Sequence, residues 1–248
     1  MNSTTAARPS AEPAPPLLEV RGIQKWFGRF HALRAVDLSV RAGEVLGLIG
    51  PNGSGKTTLL ECVAGLQADS GGQVLYCGAR LAPRKRRAAM FYIPENVVPY
   101  GEHRVHQTLA FFSDAFGQPA SRRCEIIDAL DLASLLGKRA NELSKGGRRR
   151  LLLALGLLAP HPLLLMDEPF DGLDLRQTRD AMTALRELTD RGRTLVLSIH
   201  QLADAQRVCD RFVLLSHGCA AGEGTLTELQ SRAGLAGGSM EDVFLALS

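Results

Sequence analysis

The octapeptide Gly50-Pro51-Asn52-Gly53-Ser54-Gly55-Lys56-Thr57 matches the pattern GxxxxGK[ST], and it decides the predicted fold. It follows an apolar run, residues 44–50, and precedes a helix-compatible segment, residues 57–66. Glycines in such a loop let backbone N–H groups curl around a phosphate, and the helix dipole favours negative charge. We therefore expect Lys56 to reach the β- and γ-phosphates of a nucleotide and the Thr57 hydroxyl to hold Mg²⁺. A flexible glycine-rich turn is the alternative interpretation.

Two adjacent carboxylates end the apolar run 163–166, at Asp167 and Glu168. A buried carboxylate is costly unless another charge compensates it, and a metal ion would do so. Because successive strand residues point to opposite sides, the two carboxylates cannot share one role. We expect one to bind Mg²⁺ and the other to orient or deprotonate a water molecule, the alternative being a solvated pair at a strand end.

The order of the apolar runs predicts an α/β fold. The chain has 248 residues, 45% of them hydrophobic, and a net charge of +3, which excludes general disorder. The runs 163–166 and 194–199 flank a polar helical stretch, 175–191, as in a mostly parallel sheet with a P-loop NTPase core. Shorter runs suggest an N-terminal antiparallel β-subdomain with strands at 17–23, 26–30 and 36–40.

The remaining segments complete a single domain over residues 17–248. Helical periodicity predicts a helical insertion at about 96–159, with Ser121 as a helix N-cap. Capping-box spacing, as in Thr225 with Glu228 and Ser239 with Asp242, predicts short C-terminal helices at about 225–248. Residues 1–16, with four prolines, predict a disordered leader.

Several functional classes are disfavoured by the composition. We expect no membrane-spanning segment, because Pro160, His161 and Pro162 interrupt the longest leucine-rich stretch. The leader lacks the apolar centre of a signal peptide. Five cysteines without a CxxC pair suggest neither a disulfide framework nor a zinc site, so we expect a cytoplasmic protein.

Three further motifs, in order along the chain, resemble those of the ATP-binding subunit of ATP-binding cassette (ABC) transporters. Residues 143–147, Leu-Ser-Lys-Gly-Gly, are similar to the family's signature, usually LSGGQ. Residues 170–174, Phe-Asp-Gly-Leu-Asp, are similar to its D-loop, and His200 resembles its switch histidine. The resemblance runs from about residue 17 to the end of the chain. Independently of the family, a serine and two glycines at a helix N-terminus can form a second anion cradle.

The resemblance implies ATP and Mg²⁺ as ligands and assigns roles to individual residues. Glu168, His200 and Lys56 would be catalytic, and Thr57, Glu95 and Asp167 would hold the metal. Phe27 would stack on adenine, with Trp26 as a second candidate. The other nucleotide-binding positions would be residues 50–58, which include Thr58, together with Ser144, Gly146, Gly147 and Asp174.

Two departures from the family pattern stand out. Glu95 takes the place of a glutamine that touches Mg²⁺ and the transmembrane partner, which brings an extra negative charge to the site. In the signature, Lys145 replaces a glycine and Gly147 replaces a glutamine. We expect phosphate attraction to survive, because the backbone donors and the helix dipole remain.

The resemblance also implies partners: a second copy of the chain or a related ATPase subunit, and an integral membrane permease at the cytoplasmic face of the membrane. The ending 238–247 is similar to the tail of export-type members, so we favour export. The competing hypothesis is a soluble ATPase acting on nucleic acid, motivated by the basic clusters 84–87 and 148–150. We interpret both clusters as solvated faces and expect no nucleic-acid partner. A small-molecule P-loop kinase would leave the signature and His200 unexplained.

Overall fold

The computed structural model describes residues 15–247, and this part of the chain contains ten strands and nine α-helices. The strands are β1 Leu18–Phe27, β2 Phe30–Val40, β3 Val45–Ile49, β4 Gly71–Tyr76, β5 Ala79–Arg80, β6 Met90–Ile93, β7 Leu163–Asp167, β8 Thr194–Ile199, β9 Arg211–Ser216 and β10 Cys219–Gly224. The helices are α1 Lys56–Ala64, α2 Pro83–Ala89, α3 Val105–Ala115, α4 Ala120–Ala129, α5 Lys145–Leu158, α6 Leu175–Asp190, α7 Leu202–Val208, α8 Leu226–Arg232 and α9 Met240–Leu247. Residues 1–14, most of the expected leader, lie outside the described residues.

The larger sheet has six strands in the order β10-β9-β3-β8-β7-β6. All neighbours from β9 to β6 are parallel, and β10 pairs antiparallel with β9. The carboxyl ends of parallel strands meet at one edge of a sheet, which is where such folds bind ligands. At that edge β3 leads into Gly50, β7 ends at Asp167 and β8 leads into His200.

The strands of the larger sheet are buried on both faces. In β3, Leu46 and Leu48 belong to one core, shared with α1 and the smaller sheet. Val45 and Ile49 belong to a second core on the opposite face, shared with α5, α6 and α7. This alternation explains why β3 is apolar throughout, because every side chain enters one core or the other.

The smaller sheet has the order β2-β1-β4-β5 and is antiparallel. The expected α/β fold, with its N-terminal antiparallel sheet, is therefore confirmed. The expected strand at 26–30 is wrong, because the chain reverses there: Phe27 ends β1, Phe30 begins β2, and Gly28 adopts a φ of 59° in the turn between them. Only a residue without a Cβ adopts this conformation at no steric cost.

The three α-helices between β6 and β7, namely α3, α4 and α5, fall within the predicted insertion, residues 96–159. Ser121 is not the N-cap of α4; Pro119 holds that position in extended conformation, and Ser121 lies in the first turn. Proline suits a helix start because it has no N–H to leave unpaired and its φ is already helical. Both expected capping boxes near the C-terminus form, at Thr225 before α8 and at Ser239 before α9.

The two basic clusters are not simple solvated faces. Arg86, Arg149 and Arg150 are buried, while Arg84, Lys85 and Arg87 of the first cluster stay exposed. The buried guanidinium groups donate to backbone carbonyls of their own chain, including Cys62 O for Arg86 and Asp131 O for Arg150. Guanidinium groups committed to internal carbonyls are not available to neutralise nucleic-acid phosphates.

Candidate active site

The phosphate-binding loop leaves β3 and enters α1 through glycines that the packing requires. Gly55 has a φ of 106°, and a Cβ there would lie 2.9 Å from Leu33 Cδ2. A Cβ on Gly50 would lie 2.3 Å from the Leu215 carbonyl oxygen. Gly55 is the N-cap of α1, and no side chain of the described residues caps this helix. The first turn of α1 therefore presents backbone donors and the positive end of the helix dipole, which suits an anion.

Lys56 lies beneath this loop and is only 6% exposed. Its ammonium donates to the Gly50 carbonyl (2.7 Å) and the Pro51 carbonyl (3.3 Å). The same Nζ lies 3.6 Å from Glu168 Oε1. Burying an ammonium group is costly unless it has such partners, and here the partners lie in the loop and at the strand-end carboxylate.

Asp167 is the most deeply buried carboxylate of the site, at 1% exposure. The Thr57 hydroxyl donates to its Oδ2 over 2.6 Å, and the Ser198 hydroxyl donates to its Oδ1. Ser198 Oγ in turn accepts from the Glu168 backbone N–H over 2.9 Å. Ser198 thus joins the two neighbouring acidic residues, a role that sequence reasoning missed. The available signal was a polar residue inside the otherwise apolar run that leads to His200.

Glu168 follows β7 in a left-handed conformation, with a φ of 48°. A non-glycine residue in this region is strained, and such strain persists only where the surroundings hold it. Its Oε2 lies 2.6 Å from His200 Nδ1, and its Oε1 faces Lys56. The turn directs the Glu168 side chain into the open cavity, while the preceding Asp167 stays buried.

A cavity of about 590 Å³ opens above these groups. Ten of the predicted site residues line it: Phe27, Asn52, Gly53, Gly55, Lys56, Thr57, Thr58, Glu95, Glu168 and His200. Phe30, which the sequence did not suggest as a site residue, also lines the cavity opposite Phe27 in the β1–β2 register. Trp26 instead stacks on His31, with ring centroids 3.7 Å apart. The aromatic wall of the cavity is therefore formed by Phe27 and Phe30.

The remaining predicted nucleotide-binding residues lie elsewhere. Gly50 and Ser54 are buried within the loop, whereas Pro51 is exposed, and its carbonyl accepts from the Ser54 N–H over 3.1 Å. Ser144 caps α5, and its hydroxyl accepts from the Gly147 N–H over 3.2 Å, while a Cβ on Gly146 would lie 2.6 Å from the Gly172 carbonyl oxygen. Gly146 thus allows close packing of α5 on the D-loop.

Asp174, predicted to bind nucleotide, lies outside the cavity and caps α6. Its carboxylate accepts from the Gln177 N–H over 2.8 Å. Lys145, by contrast, lines the cavity, with its Nζ 2.5 Å from Asp171 Oδ2. The lysine that departs from the family signature is therefore paired within its own chain.

The oxygen ligands in and next to the cavity fit Mg²⁺. Thr57 and Glu95 line the cavity, and the buried Asp167 accepts a hydrogen bond from the Thr57 hydroxyl. Hydroxyl and carboxylate oxygens are the hard ligands that this ion prefers. Within residues 15–247, no cluster of three or more His, Cys, Asp or Glu side chains could hold a metal by themselves.

Comparison with known proteins agrees with this geometry. Residues 33–171 match the family described as ABC transporter. The chain belongs to this ABC transporter family. It is 34% identical over 214 residues to "Nod factor export ATP-binding protein I" of Rhizobium sp. (strain N33), covering 84% of this chain and 70% of that protein. Over 220 residues it is also 34% identical to the protein of that name in Paraburkholderia xenovorans (strain LB400), covering 86% and 72%.

A solved structure named "Structure of ATP binding subunit of ABC transporter" superposes on this ABC protein with a TM-score of 0.85. The two are 31% identical, and the match covers 93% of this chain and 99% of the other. The expectation of an ABC ATP-binding subunit related to export-type members, of the kind that serves ATP-powered transport, is thereby confirmed. Within residues 15–247, none of the helices combines the length and the hydropathy that crossing a membrane requires.

Proposed function

We propose that this ABC protein binds and hydrolyses Mg²⁺-ATP, and that two copies act together to drive export through a separate permease. The observation that carries the proposal is the convergence of Lys56, Glu168 and His200 on one cavity beside the phosphate-binding loop. The proposed position in the cell is the cytoplasmic face of the membrane, where ATP is available.

Different residues in and next to the cavity would bind the adenine, the phosphates and the Mg²⁺ ion of Mg²⁺-ATP. Phe27 and Phe30 offer apolar ring faces for the adenine. The loop and the start of α1 would receive the β- and γ-phosphates, and Lys56 would exchange its carbonyl partners for phosphate oxygens. Thr57, Asp167 and Glu95 would hold Mg²⁺, which when bound offsets negative charge on the phosphates.

Hydrolysis is assigned to the carboxylate that faces the cavity. Glu168 would orient the attacking water and accept its proton, because its side chain lines the cavity, whereas Asp167 is 1% exposed and does not line it. His200 keeps Glu168 in place through the contact at 2.6 Å and is positioned to contact the γ-phosphate. Lys56 would stabilise the charge that spreads over the phosphate in the transition state.

The signature supports a paired arrangement. Ser144, Gly146 and Gly147 do not line the cavity of their own chain, and Ser144 is exposed at the start of α5, where a γ-phosphate held by a second copy would meet the positive end of the helix dipole. ATP would then join the two copies, and loss of the γ-phosphate would remove the contacts that favour closure.

The pairing leads to a first prediction. A Glu168→Gln variant with saturating Mg²⁺-ATP is expected to double its mass in light scattering, because ATP that is bound but not cleaved keeps both copies closed. The same variant with ADP serves as the control and should remain monomeric. A monomer under both conditions would contradict the ATP-dependent homodimer.

An exposed apolar surface near Glu95 is suited to the permease. It consists of Val97, Val98 and Tyr100 in the loop that follows β6, together with Phe111 on α3. The aromatic pair is ordered, with the Tyr100 and Phe111 rings 5.5 Å apart in an edge-to-face contact. Exposed apolar side chains grouped in this way are typical of a protein-binding site.

Substitution of Phe111 tests this surface. Phe111 is 51% exposed, and we expect Phe111→Glu to release the tagged chain from membranes of the source cells while ATP hydrolysis by the purified protein continues. Leu245→Glu is the matched control, since Leu245 is 77% exposed on α9. Equal membrane association of wild type and Phe111→Glu, or equal release of both variants, would overturn the assignment of this surface.

A further inference from the structure

Arg149 is a buried cation that the proposed mechanism does not use. It lies in the second turn of α5 and is 4% exposed. One guanidinium nitrogen donates to the Asp167 backbone carbonyl over 3.2 Å, and another donates to the Glu95 backbone carbonyl over 3.0 Å. Both acceptors belong to residues whose side chains are proposed to hold Mg²⁺.

The two carbonyls lie on neighbouring segments of the sheet edge. β6 and β7 pair in parallel as far as Ile93 and Met166, and the pairing ends there. Asp167 and Glu95 follow just beyond that point, where ladder hydrogen bonds no longer set their separation. The planar guanidinium has donors in a rigid fork, so one side chain can hold two acceptors at a set spacing. Arg149 thus continues the alignment of β6 and β7 past the end of their ladder.

The charge of Arg149 also suits its surroundings. Burial lowers the pKa of its guanidinium, and four carboxylates act in the opposite direction, those of Asp171, Glu95, Asp167 and Glu168. A cation placed behind a group of carboxylates lessens their mutual repulsion. The extra acid at position 95 is therefore accompanied by a buried positive charge.

We propose that Arg149 is a positioning residue for the magnesium site, which sets the spacing of Glu95 and Asp167 by holding both of their backbone carbonyls. The inference rests on the proposed function, because it presumes that these two residues hold Mg²⁺ beside ATP. Because α5 begins at the signature, the same helix would carry both the signature residues proposed to bind the γ-phosphate of a second copy and the arginine that positions its own metal site.

Arg149→Lys is the decisive variant. Lysine keeps the positive charge, so the field at the metal site is largely retained, but a single ammonium on a flexible stem does not reproduce the two-carbonyl fork. Arg150→Lys is a matched control from the next position of the same helix. Arg150 is 9% exposed and also donates to two backbone carbonyls, those of Leu130 and Asp131, which lie away from the cavity.

The measurement is the affinity for a non-hydrolysable β,γ-imido analogue of ATP, determined by calorimetry in excess Mg²⁺ and again in EDTA. The ratio of the two dissociation constants reports how much the metal contributes. We expect magnesium to tighten binding to the wild type, and Arg149→Lys to reduce that gain by roughly tenfold or to abolish it, the usual effect of losing a residue that orients metal ligands. Affinity in EDTA should stay within about twofold of wild type for both variants, because the loop and Lys56 are untouched.

The outcomes separate the inference from the function on which it rests. The positioning role would be overturned if Mg²⁺ increased analogue affinity in Arg149→Lys as much as in wild type. It would also be overturned if Arg150→Lys lost as much of that increase as Arg149→Lys. A parallel loss of affinity in EDTA would also overturn it, since that result indicates general distortion of the chain. If the wild type binds the analogue under neither condition, the proposed ATP site itself fails.

Discussion

Replacement of Glu168 by glutamine is expected to lower ATP turnover by at least about two orders of magnitude, the usual contribution of a positioned general base. The amide has nearly the shape of the carboxylate, so the left-handed turn at this position and the contact with His200 can be kept. What the amide lacks is the ability to accept a proton from the attacking water. The rate of phosphate release by the purified protein measures the effect.

ATP binding by Glu168→Gln should remain within a few-fold of wild type, because neither the loop nor Thr57 changes. Glu187→Gln is a suitable control, since it makes the same substitution on α6 outside the cavity. Equal ATP turnover by wild type and Glu168→Gln would contradict the role of Glu168 as the general base. Asp167 would then have to be reconsidered, although both of its oxygens are hydrogen-bonded.

Replacement of Lys56 by glutamine is expected to weaken ATP binding by roughly 10- to 100-fold, since a hydrogen bond to a charged group contributes about 1.5–3 kcal/mol. Lys56 is the buried cation at the loop, and its carbonyl partners Gly50 and Pro51 already hold it where phosphates would lie. Its loss also leaves Glu168 without the cation 3.6 Å away. Calorimetric titration with ATP measures the change.

Lys138→Gln is the matched control for Lys56→Gln, because Lys138 is an exposed lysine away from the cavity. The two variants lose the same charge, so a shared decrease in affinity would indicate only a long-range electrostatic effect. Unchanged ATP affinity in Lys56→Gln would show that the loop binds phosphate without this lysine, and would contradict the assignment of its role.

The core of the fold could be predicted because its residue patterns are compatible with few kinds of secondary structure. An apolar run such as 194–199, too short for a buried helix and flanked by polar segments, is typical of a central strand, and β8 spans those residues. The loop at 50–57 combines glycines with a lysine and a threonine at fixed spacing, which phosphate binding requires. By contrast, β6 has only four residues and directly follows α2, so its sequence is too short to show the alternating hydrophobic pattern of a strand.

The supporting residues of the site were harder to predict. Arg149 reads as one of three consecutive arginines, and its burial depends on carbonyls 54 residues before and 18 residues after it in the chain. Ser198 acts through two contacts with residues about thirty positions away. Motifs report the groups that touch a ligand, whereas the groups that hold them in place are defined only by tertiary packing.

One triphosphate is expected to be held at Lys56 and cleaved beside Glu168. Titration of ATP into the purified wild-type chain in a calorimeter, followed by measurement of phosphate release from the same sample after Mg²⁺ is added, tests it most directly. We predict saturable uptake of a single ATP per chain and release of phosphate that requires Mg²⁺. Absence of any nucleotide uptake, or phosphate release that is identical in Glu168→Gln, would contradict it.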